Sequence, residues 1–110
     1  MENKIIDSDA GKILGWLYQV YEKRYSNVES GNICKDLRLN KARVRKALDK
    51  LYEEELINAI PPETPRAQWK DIRISTHGVD IIRNKDNYKR HFGIELNLGI
   101  IKVHWGAEER

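Results

Sequence analysis

The chain has 110 residues, 40% of them hydrophobic and 34% charged, with a formal net charge of +3. This length fits one small domain and is short for an enzyme with a deep cleft. The mild basic excess is compatible with nucleic acid without requiring it. The single cysteine, Cys34, excludes an internal disulfide and favours a reducing compartment. Neither a membrane span nor a signal peptide is visible, so we expect a soluble, cytoplasmic protein without a membrane contact.

A first helix is predicted from the segment DSDAGKILGWLYQVYEKRYS. Asp7, Ser8 or Asp9 can cap its N-terminus, since their side chains accept hydrogen bonds from backbone N–H groups. Apolar residues then recur at three- and four-residue spacing as far as Tyr21, which is the period of a helix with one buried stripe. We therefore expect residues 1–8 to be an N-terminal tail and the helix to end near Tyr25.

Two more helices are predicted before residue 56. Ser30 can cap a short second helix whose inward residues are Ile33 and Leu37, and Asn40 can cap a third after a tight turn. The apolar residues of the third helix fall on one face; they are Val44, Ala47, Leu48 and Leu51. Its basic residues must therefore lie on the other faces.

A β-hairpin and a further helix follow. Leu56 to Ile60 and Ile72 to Ile74 have the character of short strands, and all three prolines of the chain lie in the loop between them. Thr76 can cap a helix over HGVDIIRNKDNYK. Apolar and polar residues then alternate from Ile94, with a change of phase near Gly99, which predicts a C-terminal β-strand or hairpin over residues 91–110.

Charge is distributed unevenly along the third helix. Its first two turns carry Lys41, Arg43, Arg45 and Lys46, whereas Glu53, Glu54 and Glu55 stand at its end. The helix dipole favours the opposite arrangement, with acids first and bases last. The observed order therefore indicates that the leading end of the helix meets a polyanion and that the glutamates mark the end kept away from the polyanion. Arginine can pair bidentately with guanine, which makes either arginine a candidate for base contacts, and the lysines are candidates for phosphate contacts.

The run ICKDLRLNKARVRKALDKLYEEELI resembles the helix–turn–recognition-helix segment of winged helix-turn-helix transcriptional regulators. ISTHGVDII is similar to the segment in which that family passes from the second wing strand into the next helix. The resemblance covers roughly residues 9 to 85. Two features depart from the family pattern: Glu55 occupies a position that is often glycine, and the proline-rich wing tip carries few cations, Arg66 among them.

The resemblance implies an α+β, mainly α fold, with a three-helix core, a β-hairpin wing and a further helix over residues 9–90. It implies sequence-specific binding of double-stranded DNA by a non-enzymatic transcriptional regulator, with the third helix in the major groove. The expected DNA-binding residues are Lys41, Arg43, Arg45, Lys46, Lys35 and Arg66. We expect residues 91–110 to form a homodimer interface, although pairing within the monomer is the alternative. A winged-helix module for protein–protein contact in a larger assembly remains the second functional hypothesis.

Other chemistry has little support in the sequence. His77, His91 and His104 are scattered, and no histidine–cysteine pair has metal-ligand spacing, so neither a metal nor another cofactor is expected. Cys34 falls on an inward helix position without a neighbouring base, which is typical of a small buried side chain. The sequence shows no site for a small-molecule effector.

Overall fold

The structure, a computed structural model, describes residues 2–96, which form five helices and one two-stranded antiparallel sheet. The elements in chain order are α1 (Glu2–Glu22), α2 (Ser30–Leu37), α3 (Lys41–Glu53), β1 (Ile57–Ile60), β2 (Lys70–Ile74), α4 (Thr76–Ile82) and α5 (Lys85–Phe92). The predicted α+β, mainly α class is confirmed. Most of the predicted C-terminal β tail, residues 97–110, lies outside the described part of the chain.

Helix α1 begins earlier than predicted. It includes the stretch expected to be an N-terminal tail, so Asp7, Ser8 and Asp9 lie inside the helix and do not cap it. The physical reason is tertiary: Asp9 is only 1% exposed and is bound by Arg43 of α3, a contact that outweighs its local preference for a cap. The predicted apolar stripe is confirmed, with Ile13 and Leu14 completely buried.

The turn between α2 and α3 is tight. Arg38 takes a left-handed conformation with φ of 57°, and the Asn40 side chain then accepts a hydrogen bond from the Arg43 N–H at 2.9 Å. Asn40 is thus the N-cap of α3, as predicted. Glu29, and not Ser30, occupies the N-cap of α2, because the Ser30 hydroxyl instead accepts from the Trp69 N–H at 3.2 Å and ties α2 to the hairpin.

The predicted β-hairpin is confirmed, with all three prolines in its loop. Strand β1 pairs antiparallel with β2 through Ile57 opposite Ile74 and Asn58 opposite Arg73, and the register shifts before Ile60. On the other edge of β2, the Ile72 N–H donates to the Val28 carbonyl at 3.0 Å. Val28, an isolated apolar residue in the sequence, therefore extends the sheet by one backbone contact.

The single helix predicted after β2 is two helices. Ser75, and not Thr76, caps α4 by accepting from the Gly78 N–H at 3.0 Å, and Asn84 caps α5 by accepting from the Asn87 N–H at 3.1 Å. Asn84 breaks the pattern because its side chain satisfies a new helix start. Helix α5 also extends to Phe92, so the first two residues assigned to the β tail are helical.

Helix α1 lies at the centre of the described fold and contacts α3, α4, α5 and β2. Trp16 is completely buried on it, and its indole N–H donates to the Asp36 carboxylate of α2 at 2.9 Å. Gly78 of α4 lies so close to the Leu56 carbonyl oxygen that a Cβ atom there would overlap it. This close approach explains why the segment ISTHGVDII needs glycine at that position.

Candidate nucleic-acid interface

Helix α3 has one buried face and one exposed face. Val44, Ala47, Leu48 and Leu51 are each 0% exposed, which confirms the predicted apolar face. Burying these four side chains against α1 and α2 stabilises the helix by about 1.5 kcal/mol or more for each large aliphatic residue. The opposite face therefore points to solvent, with Lys41, Ala42 and Lys46 exposed.

Arg43 is bound by α1. Its Nε donates to Asp9 Oδ2 at 2.9 Å and its Nη2 donates to Asp9 Oδ1 at 2.8 Å, a bidentate pair between residues 34 positions apart. The Arg43 side chain is 46% exposed, whereas that of Asp9 is 1% exposed. The hydrogen bonds and the charge of Asp9 raise the pKa of the Arg43 guanidinium. Arg43 thus stands at the edge of the exposed face, fixed on the α1 side.

Arg45 is bound on the opposite side of α3 by the hairpin loop. Its Nη1 donates to the Pro65 carbonyl at 2.6 Å and its Nη2 donates to the Thr64 carbonyl at 3.2 Å. Arg66, in the same loop, is exposed. The loop is therefore held beside α3 through its backbone carbonyls, which explains how a proline-rich tip with few cations still packs against a basic helix.

The remaining predicted residues lie on exposed surface around the start of α3. Lys41 is in its first turn and Lys46 is in its second, while Lys35 is exposed near the end of α2. The structure thus brings Lys41, Arg43, Arg45 and Lys46 onto one helix end, with Arg66 on the adjoining loop. Lys35 belongs to the neighbouring helix of the turn.

Acidic residues share the exposed face with these cations. Asp49 lies three residues after Lys46 and Glu53 lies seven after it, so all three point to the same side of the helix. Burial raises the pKa of Asp49, and the Arg45 guanidinium opposes that rise. The sequence analysis did not predict Asp49 as part of this face, although helical spacing alone places it beside Lys46. That the glutamates mark the end of α3 kept away from a polyanion stays a prediction, and Glu53, the last residue of α3, lies on the same side of the helix as Lys46.

Glu54 belongs to a chain of polar side-chain contacts that joins three helices. Lys50 contacts Asp7 at 3.2 Å and Glu54 at 3.1 Å, and His91 of α5 lies 2.9 Å from Glu54. Burial acts to raise the pKa of Glu54, but His91 and Lys50 together lower it. These contacts fix the start of α1 and the end of α5 to the last turns of α3.

Grooves border the exposed face of α3 on two sides. Between α3 and the first turns of α1 lies one groove of about 300 Å³, lined by Ile5, Ile6, Asp9, Arg43 and Lys46. A neighbouring groove of about 430 Å³ is lined by Ile6, Asp7, Lys46, Asp49, Lys50 and Glu53. On the other side, a groove of about 380 Å³ lies between α3 and the hairpin loop, and its lining includes Tyr52, Pro61 and Pro62. The exposed face is therefore a ridge between shallow grooves, a shape that suits a helix projecting into a groove of its partner.

Among residues 2–96, no group of three histidine, cysteine or acidic side chains is placed to hold a metal ion. Burial raises the pKa of the half-buried Cys34 thiol, which disfavours the nucleophilic thiolate. Over the same residues, no helix combines the length and apolar character that crossing a bilayer requires.

Comparisons of the chain with protein-family models, with curated proteins and with solved structures give no match.

Proposed function

We propose that the protein is a winged helix-turn-helix transcriptional regulator that binds double-stranded DNA sequence-specifically through α3. The observation that carries the proposal is the exposure of Lys41, Arg43 and Lys46 on the leading end of a helix whose opposite face is completely buried. A helix of this kind fits the major groove while its apolar side holds it to the domain. The order of helix, turn, helix and hairpin supports the same proposal.

The hairpin loop has a positioning role in this proposal. Because Thr64 and Pro65 accept hydrogen bonds from Arg45, the loop stands beside α3 and presents Arg66 on the adjoining surface. Arg66 then contributes a phosphate contact, which adds affinity and little sequence information. Lys35 contributes a second such contact from α2.

The second candidate function is a protein–protein interaction module. It is favoured by the presence of Asp49 and Glu53 on the exposed face and by the internal hydrogen bonds of both Arg43 and Arg45. The surface carries both signs of charge, and its two arginines already make hydrogen bonds within the protein. Such a surface suits a protein partner that carries both acidic and basic residues as well as it suits a polyanion. Salt dependence separates the two candidates, because counterion release from DNA makes affinity fall steeply with salt.

The test is duplex DNA binding measured by fluorescence anisotropy across a salt series from about 50 to 200 mM. The parent is compared with Lys41→Gln and Lys46→Gln. Each lysine that contacts a phosphate contributes roughly one unit to the slope of log affinity against log salt, so we expect each variant to lose about that much.

Lys23→Gln is the matched control for this experiment. Lys23 is exposed, directly follows α1 and stands roughly 20 Å along the helix axis from Asp9, so its loss should leave the slope unchanged. Equal slopes for all four proteins would show that α3 is not the contact surface. Absence of parent binding at the lowest salt would favour the protein-interaction module instead.

We also propose that the regulator acts as a homodimer, because one helix contacts few base pairs and paired half-sites multiply the specificity. Most of the segment assigned to that interface, residues 91–110, lies outside the described residues from 97 onward, so this part of the proposal depends on the alternating apolar pattern of the sequence.

A further inference from the structure

We infer that Asp9, on α1, is a specificity-determining positioning residue that holds Arg43 of α3 in the orientation for reading guanine. The inference deepens the proposed function and rests on it, since it assigns a base-reading geometry to the same surface. Asp9 itself touches no DNA in this inference, because it is buried beneath the side chain that it orients.

The hydrogen-bond geometry distinguishes the two arginines. A guanidinium carries five N–H groups: one on Nε and two on each terminal nitrogen. Asp9 accepts from Nε and Nη2 of Arg43, which leaves the Nη1 group and one N–H of Nη2 for the outer edge. That outer edge has the spacing of guanine O6 and N7. Arg45, in contrast, uses both terminal nitrogens on the carbonyls of Pro65 and Thr64.

The location of Asp9 makes the orientation rigid. It lies in the interior of a long helix, is 1% exposed, and meets the guanidinium through two short hydrogen bonds. An arginine held in this way has already lost most of its rotamer freedom, so contact with a base costs less conformational entropy. An unsupported arginine at the same position would sample several phosphates and bases.

Neutralising Asp9 distinguishes a positioning role from an effect of net charge, because the two predict opposite changes in affinity for the preferred DNA sequence. Asp9 is an acid beside a surface proposed to bind a polyanion, so its neutralisation should tighten any binding governed by net charge alone. If Asp9 acts by orienting Arg43, neutralisation should weaken binding to the preferred sequence while binding to other sequences tightens or stays constant. The ratio of the two dissociation constants therefore reports the role.

The experiment uses the full chain and a duplex selected from a randomised DNA library by the parent protein. Dissociation constants are measured for this duplex and for a scrambled duplex of equal length and composition. For Asp9→Asn we expect about a 10-fold loss of affinity for the selected duplex and a fall in the ratio of similar size, as for one lost bidentate base contact. The scrambled duplex should be bound at least as tightly as by the parent.

Arg43→Lys provides the second variant, because lysine keeps the charge and loses the planar fork. We expect Asp9→Asn to have no further effect on the ratio when Arg43 is already lysine, since the two residues act as a unit. Titration of each variant with the selected duplex, at concentrations well above the dissociation constant, gives the fraction of protein that binds DNA and so corrects for any unfolded fraction.

The outcomes separate the inference from the proposed function. If Asp9→Asn tightens binding to both duplexes equally, or if its effect on the ratio persists in the Arg43→Lys background, the positioning role is wrong and DNA binding stands. If the parent binds no duplex at low salt, the proposed function itself fails. A fall in the ratio confined to the background that retains Arg43 supports the inference.

Discussion

Tyr88 shows how one side chain fastens α5 to α1. Its hydroxyl donates to the Gly11 carbonyl at 2.7 Å, its ring lies 5.0 Å from that of Phe92, and it is 1% exposed. A Cβ atom on Gly11 would lie 2.9 Å from the Phe92 Cβ. The absence of a side chain at Gly11 is thus what allows the two aromatic residues to reach the helix backbone.

The buried hydroxyl gives Tyr88→Phe a pH-dependent effect. Burial raises the pKa of Tyr88 above its usual value of about 10, so the folded state favours the neutral phenol. The resulting stabilisation is complete below pH ~10 and declines as the pH rises further. We expect Tyr88→Phe to cost about 1 kcal/mol at neutral pH through the lost hydrogen bond, and this cost to shrink above pH ~10.

Urea unfolding of the parent and Tyr88→Phe at neutral and alkaline pH measures this difference. Tyr21→Phe is the control, because the Tyr21 side chain is 52% exposed and its hydroxyl can meet water. If the free energy of unfolding falls equally in the parent and in Tyr88→Phe as the pH rises, the buried phenol does not cause the loss of stability at alkaline pH.

At the residue scale, the sequence predicted buried apolar positions well and polar partners poorly. Val44 and Leu48 follow from helical periodicity alone, since burial has a local signature. The pairing of Asp9 with Arg43 has none, because 34 residues separate them and only the packing of α1 on α3 brings them together. An acid near a helix start reads locally as a cap, which is why its role as a buried counterion was missed.

At the scale of one element, the end of α3 shows how the chain closes a helix with Glu55 at a position where glycine was expected. Glu55 adopts a left-handed conformation with φ of 62°. The following Leu56 N–H donates back to the Leu51 carbonyl at 2.9 Å, which closes the helix end. The Glu55 carbonyl also accepts from the Ser75 hydroxyl at 2.7 Å, so tertiary contact helps hold the strained residue. Glu55 therefore takes at the helix end the left-handed conformation that favours glycine.

Replacement of Glu55 by glycine should stabilise the protein. Glycine removes the left-handed penalty of about 1–2 kcal/mol but adds backbone freedom to the unfolded chain, so we expect a net gain of about 0.5–1 kcal/mol. The free energy of urea unfolding measures the gain. Lys46→Gly is the control, because Lys46 is exposed in the interior of α3 and glycine should destabilise there by about 0.5–1 kcal/mol. Destabilisation by both variants would mean that the Glu55 side chain has a contribution larger than its strain.

The order of elements was predictable to a greater extent than their ends. Hydrophobic periodicity indicated α1, α3 and the hairpin, because each has a buried face that repeats along the sequence. Helix starts were displaced by one residue at Ser30 and Thr76, since neighbouring polar residues compete for the same cap. The choice between such neighbours depends on tertiary partners such as the Trp69 N–H, which no local pattern reveals.

At the scale of the whole molecule, α1 connects the proposed DNA-binding surface with the C-terminal region. Its first turns contact α3 through Asp7 and Asp9, and further along the helix the Gly11 carbonyl accepts the hydrogen bond from Tyr88 of α5. Phe92, at the end of α5, is 1% exposed, while Ile94 and Leu96 pack partly buried against the same core. The domain boundary expected at residue 90 would therefore cut through the core, and the core of the described domain extends to Leu96.

This boundary defines the test of the proposed homodimer. A chain that ends at Leu96 keeps Phe92 and the core beneath it, so we expect a melting temperature near that of the full chain in its monomeric state. It loses the alternating apolar residues of 97–110, so we expect it to sediment as a monomer while the full chain sediments as a dimer. Equal sedimentation of the two would remove residues 97–110 from the proposed interface.

A second truncation, after Arg90, serves as the contrast. It removes the buried Phe92 ring, whose loss should cost about 3–5 kcal/mol, so any change in its sedimentation would mix unfolding with dissociation. Only the chain ending at Leu96 separates the two effects. If that chain is monomeric and binds a single half-site with a correspondingly smaller salt slope, the DNA contacts belong to the described domain and the dimer contacts belong to the segment after it.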